Sequence, residues 1–135
     1  MAHHTVIEKE LESGHEWMRD QWLVMMRQGC RVAETAVPLD RIDLGAGAIT
    51  FRLKGGRLYT VRMHPDLLPL VAKVRGRGDS VLVQANIRSA TSRWCELFRS
   101  LGMPYSSHCC RVTVITRLLR AGHSPALVSA FIGRK

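Results

Sequence analysis

The sequence predicts an α+β fold, mainly helical, with a small antiparallel three-stranded sheet. Three observations predict it. Apolar residues recur at helical spacing over most of the chain. One glycine pair, Gly55-Gly56, separates two short strand-like runs, which is a hairpin signal. No internal repeat or long linker divides the 135 residues, so residues 1–135 are expected to form one domain.

The elements follow in order. Residues 5–27 read as one helix, with Trp17, Trp22, Leu23 and Met26 at helix-like spacing, ended by Gln28-Gly29. A second short helix is expected from Arg31 to Val37, closed by Pro38. Ala48 to Leu53 and Leu58 to Met63 read as the hairpin strands. His64-Pro65-Asp66 starts a helix that runs to about Val74, with proline suited to its first turn. Ser80 to Val83 is an apolar run expected to supply the third strand. Ser89 to Leu101 is an amphipathic helix with Trp94, Leu97, Phe98 and Leu101 on one face. His108 to Arg120 reads as a further helix, and Ser124-Pro125 starts a last one from Ala126 to Ile132.

Composition narrows the function. At 46% hydrophobic and 23% charged residues, the chain is globular rather than disordered. Twenty Lys and Arg against eleven Asp and Glu leave a net charge of +9, which attracts polyanions over a long range. Nucleic acid is the first expectation and an anionic membrane surface the second. No apolar run approaches the roughly 20 residues that span a bilayer, and the N-terminus has no secretory pattern. Cys30, Cys95, Cys109 and Cys110 show neither a CxxC pair nor a zinc spacing, so they are expected to be reduced, mostly buried thiols of a cytoplasmic protein.

Four local features carry chemistry; one is the tail Leu127 to Arg134, an apolar helix that places a polar side chain just after a glycine. In Gly29-Cys30-Arg31-Val32-Ala33-Glu34, an arginine follows a glycine turn at a helix start, where phosphate is favoured, and Glu34 lies one turn away to hold the guanidinium. Alone, this also describes a solvated Arg–Glu pair. In Arg52-Leu53-Lys54-Gly55-Gly56-Arg57, a lysine beside a tight turn can reach a phosphate or donate a proton to a leaving alkoxide. Alone, it also describes a charged hairpin tip. In His108-Cys109-Cys110-Arg111, an imidazole and a guanidinium share one helix face, a pairing suited to an anionic phosphoryl centre but common by chance.

In this order and spacing, the set resembles the catalytic domain of tyrosine recombinases, the phage integrase family. Gly29 to Glu34 resembles the family's first-arginine motif. Lys54-Gly55-Gly56-Arg57, continued by His64-Pro65, resembles the hairpin lysine. His108 and Arg111 match the HxxR box, with Thr113 to Gly122 as its helix. Leu127 to Gly133 resembles the segment leading to the family's third histidine or tryptophan, a slot that holds Arg134 here. The resemblance covers nearly all of the chain from about residue 20.

The resemblance implies the fold of DNA breaking–rejoining enzymes and a role in site-specific DNA recombination or integration, without metal or cofactor. It assigns Arg31 and Arg111 to the phosphate oxygens, Lys54 to the leaving 5′-oxygen, His108 to proton transfer or the phosphate, Arg134 to the third slot, and Glu34 to support of Arg31. The family's nucleophilic tyrosine lies a few residues past the third slot. Neither Tyr59 nor Tyr105 matches it, so residues 1–135 are expected to supply the phosphate-binding part and to form no covalent link unaided. No counterpart of the family's N-terminal core-binding domain is expected within residues 1–135. Expected partners are double-stranded DNA and other recombinase protomers on DNA, not a membrane. The expected setting is the cytoplasm of a bacterium, phage host or archaeon, on the nucleoid when bound, in a phage or mobile-element system. The alternative is a non-catalytic DNA-binding relative with the same fold.

Overall fold

A computed structural model describes residues 2–53, 55–84, 87–103 and 109–131. Among these residues, six α-helices and three strands run in the order α1 (Ala2–Glu12), α2 (Glu16–Gln28), β1 (Ile42–Asp43), β2 (Ala48–Arg52), β3 (Leu58–Arg62), α3 (Leu68–Gly76), α4 (Ile87–Ser100), α5 (Cys109–Arg120) and α6 (Pro125–Phe131). The sheet is antiparallel in the order β1-β2-β3. The expected fold class is therefore observed, as are the hairpin and the helices after it. None of the helices among the described residues is long and apolar enough to cross a membrane.

Three expectations need correction. The single helix over residues 5–27 is two helices, broken at Ser13-Gly14. Glycine is a poor helix former, and Arg19 braces the break. Its Nη1 donates to the carbonyls of Leu11 at 3.1 Å and Gly14 at 2.9 Å, satisfying backbone acceptors that a helix end leaves open.

The helix expected from Arg31 to Val37 is only a 3₁₀ turn over Val32–Glu34. Thr35 closes it. Its backbone N–H and its Oγ1 both donate to the Val32 carbonyl, at 3.2 and 2.8 Å. Pro38 follows and disfavours helical backbone in the residue before it.

The third strand is Ile42–Asp43, not Ser80–Val83. Asp43 Oδ1 accepts the Ala46 N–H at 3.0 Å and folds a tight turn that returns the chain as β2. Ser80–Val83 instead crosses the segment before β1, with Leu39 N–H donating to Ser80 and Leu82 N–H to Val37 at 3.0 and 2.8 Å. A single bridge, Pro38 to Val81, forms there, because proline cannot donate to a longer ladder.

The core lies where α2 meets α4 and α5. On α4, Ala90, Trp94 and Phe98 recur every four residues and are all essentially inaccessible. Trp94 packs against Trp22 of α2 with ring centroids 5.6 Å apart. The sheet adds Ile49 and Phe51 from one face of β2. By strand alternation Thr50 and Arg52 lie on its opposite face. Cys30 and Cys110 are buried and Cys95 half-buried, all three as free thiols, while Cys109 has no described side chain.

Candidate functional site

The site is built from the turn after α2. Gly29 ends that helix with φ 70°, a left-handed conformation that glycine adopts without strain, and its N–H donates to Met25 at 2.9 Å. The reversal puts Cys30 into the core and leaves Arg31 half-exposed. Arg31 opens the 3₁₀ turn. Its backbone N–H donates to Glu34 Oε1 at 2.9 Å, and its carbonyl accepts the Glu34 N–H at 2.9 Å. Glu34 is thereby tied to Arg31 through both its side chain and its backbone.

Arg111 reaches this turn from α5, 82 residues along the chain from Gly29. Its Nη1 donates to the Gly29 carbonyl at 3.2 Å and stands 4.0 Å from Glu34 Oε1. Both side chains are buried, with 8% and 7% of their surface exposed. A buried charge pair this far from solvent is costly to break, because either partner alone is an uncompensated ion. Burial and the nearby Glu34 charge push the Cys30 thiol well above its usual range, so it stays protonated and inert.

A second layer holds the turn in place. Trp94 Nε1 donates to Gln21 Oε1 at 2.6 Å, Gln21 Nε2 donates to Thr35 Oγ1 at 2.9 Å, and Thr35 Oγ1 donates in turn to the Val32 carbonyl at 2.8 Å. The chain of bonds joins α4, α2 and the 3₁₀ turn with no exposed member. Gln28 does the same for the sheet. Its Nε2 donates to the Arg62 carbonyl at 3.1 Å and its Oε1 accepts the His64 N–H at 2.6 Å.

The hairpin faces the turn across a cleft of about 430 Å³. Arg31, Ala33 and Glu34 line one side, and Arg52, Leu53, Gly55 and Gly56 the other. The hairpin turn is closed by the Gly56 N–H to the Leu53 carbonyl at 2.9 Å, and Gly55 and Gly56 both take positive φ, 92° and 86°.

Of the residues singled out from the sequence, Arg31, Glu34 and Arg111 come together. Lys54, His108 and Arg134 lie outside the described residues, as does Tyr105. Leu53 and Gly55, the neighbours of Lys54, line the cleft. Tyr59 sits within β3 opposite Phe51. The sequence reading missed Arg52 and the Gln21–Trp94 bond. A signal for Gln21 was present: it falls three residues after Met18 and four before Met25, which puts an amide on the apolar face of α2.

At this distance the charge pattern favours an oxyanion. Two arginines line the cleft, the Arg111 guanidinium stands beside Glu34, and Glu34 is the one carboxylate among the described lining residues. Guanidinium forks bind phosphate through paired N–H donors.

No family model matches the sequence, and no curated protein matches it. Solved structures do. XerA recombinase superposes with a TM-score of 0.75 at 20% identity, over 99% of this chain and 54% of that one. The catalytic core of lambda integrase superposes with a TM-score of 0.75 at 17% identity, over 96% of this chain and 90% of that core. A lambda integrase tetramer bound to a Holliday junction gives a TM-score of 0.76 at 16% identity, over 98% of this chain and 45% of that one. The chain thus spans about half the length of the longer recombinases and most of the isolated catalytic core. It has the fold of the tyrosine-recombinase catalytic domain.

Proposed function

We propose that residues 1–135 form the phosphate-binding part of a tyrosine-recombinase catalytic domain that acts in site-specific DNA recombination or integration. The observation that carries the reading is the buried Arg111–Glu34 pair beside Arg31, at the edge of the cleft that the hairpin closes. The net charge of +9 supports it, since a cationic surface draws a duplex toward such a cleft. Lambda integrase, which shares the fold, is known as a tetramer on a Holliday junction, so DNA and further protomers are the partners proposed here.

The chemistry would be phosphoryl transfer, in which positioning and charge stabilisation supply most of the rate. A tyrosine hydroxyl attacks the phosphorus and the bond to the 5′-oxygen breaks. The new phosphotyrosyl ester conserves the bond energy for rejoining. Arg31 and Arg111 hold the non-bridging oxygens. Lys54 gives a proton to the departing 5′-oxygen. His108 serves proton transfer at the nucleophile or bonds the phosphate, and Arg134 contributes a hydrogen bond from the third slot. Glu34 aligns the arginines. The attacking tyrosine is neither Tyr59 nor Tyr105. A cytoplasmic, nucleoid-associated setting in a phage or mobile element goes with this role.

A second reading is a non-catalytic DNA-binding relative. Arg134 favours it, because arginine cannot replace histidine in proton transfer.

The test is a binding titration of a duplex over a range of salt. Affinity is expected to fall steeply with salt, with a log–log slope that Arg31→Ala reduces by about 0.9, one phosphate contact. Binding that ignores salt, or an unchanged slope in the variant, overturns the reading.

A further inference from the structure

We infer that Arg52 is a DNA-phosphate ligand of the same cleft, binding the backbone phosphate next to the one held by Arg31 and Arg111. The inference builds on the phosphate-binding reading above and adds a residue to which no role has been given.

Arg52 is the last residue of β2, on the solvent side of the sheet, paired across to Leu58. An exposed arginine there has an open choice of direction. It takes one: a Cβ placed on Gly56 would stand 3.5 Å from Arg52 Nη2 and 3.8 Å from its Nε. The guanidinium therefore folds back along the glycine turn, and it lines the cleft opposite Arg31.

No neutralising group explains that position. Among the described residues no carboxylate forms an ion pair with Arg52 or with the Arg31 guanidinium. Glu34, the carboxylate on the cleft wall, already accepts the Arg31 N–H and faces Arg111. Two arginines without a carboxylate partner that line one open cleft place like charges near each other, and an anion entering the cleft relieves that repulsion. A DNA strand offers such anions in series, one charge per about 3.4 Å of rise. A ligand with a single phosphate would leave one fork unmatched, so the strand is the better fit.

Arg62 is the natural control. It is exposed on the same outer sheet face but at the opposite end of the ladder, paired with Ala48. Four residues of strand separate the two rows, roughly 13 Å at about 3.3 Å per residue.

The experiment compares Arg52→Gln, Arg52→Lys, Arg31→Gln and Arg62→Gln in salt titrations on a short mixed-sequence duplex, with chemical denaturation of each variant. Arg52→Gln is expected to weaken binding on the order of tenfold, the loss of one charge-assisted contact. It should also lower the log–log salt slope by about 0.9. Its unfolding midpoint should not move, since the side chain is exposed and makes no ion pair. Arg52→Lys should keep the slope and lose part of the affinity, because the charge remains and the fork does not. Three results overturn the inference. If Arg31→Gln weakens binding and Arg52→Gln does not, the phosphate cleft stands and Arg52 is outside it. If Arg62→Gln costs as much as Arg52→Gln, the effect is net charge alone. If neither Arg31→Gln nor Arg52→Gln changes binding, the phosphate cleft itself fails.

Discussion

Arg111 Nη1 stands 4.0 Å from Glu34 Oε1, with both side chains almost wholly buried, and so ties the start of α5 to the turn after α2. The pair joins residues from two motifs far apart in sequence, and it defines the back wall of the candidate site. Its energetics give the first prediction. Glu34→Ala leaves a buried guanidinium without its carboxylate and takes the acceptor from the Arg31 N–H. It should destabilise the fold by about 3 kcal/mol, read by urea denaturation. Glu34→Gln retains an acceptor for the N–H and should fall between. A variant as stable as the parent would mean that the Gly29 carbonyl alone is enough for Arg111.

Gln21 makes a second test. Replacing it with leucine strands the Trp94 indole N–H and removes the donor to Thr35, both in the core. The expected loss is also about 3 kcal/mol, since each buried orphan costs roughly 1–3 kcal/mol. Trp94→Phe removes only one donor and leaves the Gln21 oxygen open, so it should cost less from hydrogen bonding, with a packing loss added. Calorimetric midpoints of the two variants would check the order.

Most of the fold was legible in the sequence, and the failures have physical causes. Periodicity located α4 because Trp94, Leu97, Phe98 and Leu101 share one face, which the structure packs against the core. Gly55-Gly56 located the hairpin because two positive φ angles in succession require glycine. Ser80–Val83 misled, because a short apolar run looks the same whether it pairs in a sheet or lies buried across one bridge. The break at Ser13-Gly14 was hidden because apolar residues continue on both sides of it, and its stabilising partner, Arg19, is tertiary. In the candidate site, Arg31, Glu34 and Arg111 were legible as a motif set. Arg52 was not, since a charged residue at a strand end has no distinctive spacing. The cleft across from Arg31 gives it meaning.

Acid should loosen the α2–α3 contact. Hydrogen bonds from Lys73 at 2.8 Å and Arg77 at 2.6 Å lower the Glu16 carboxyl from 4.5 to about 2. A depressed acid adds stability above its unfolded value and loses it as pH falls through the folded one. The contribution should therefore be complete above pH 4.5 and fade toward pH 2. Glu16→Gln should flatten the stability profile over that window, as followed by circular dichroism. Its exposure makes the effect small and salt-sensitive. An unchanged acid profile would show that other carboxylates set it.

The thiols should react unequally. Cys30 is buried, and its environment disfavours the thiolate. It should resist alkylation in the folded chain and react only on unfolding, whereas half-buried Cys95 should be modified before it. Mass spectrometry of a timed iodoacetamide reaction reads this directly. Early modification of Cys30 would contradict the packing after Gly29.

The covalent step gives a further prediction. On a nicked suicide duplex, residues 1–135 should bind and leave no covalent protein–DNA adduct, because neither Tyr59 nor Tyr105 is the proposed nucleophile. An adduct on a denaturing gel, mapped to either tyrosine, would overturn that assignment.

The most direct test of the phosphate cleft is to watch its arginines while DNA binds. Side-chain Nε resonances of arginine can be followed by nuclear magnetic resonance as a duplex is added. The Arg31 and Arg52 signals should shift together, in proportion to the bound fraction, and return as salt rises. If they stay fixed while arginines elsewhere on the surface shift, DNA binds another face, and the cleft between the Arg31 turn and the Gly55-Gly56 hairpin is not a phosphate site.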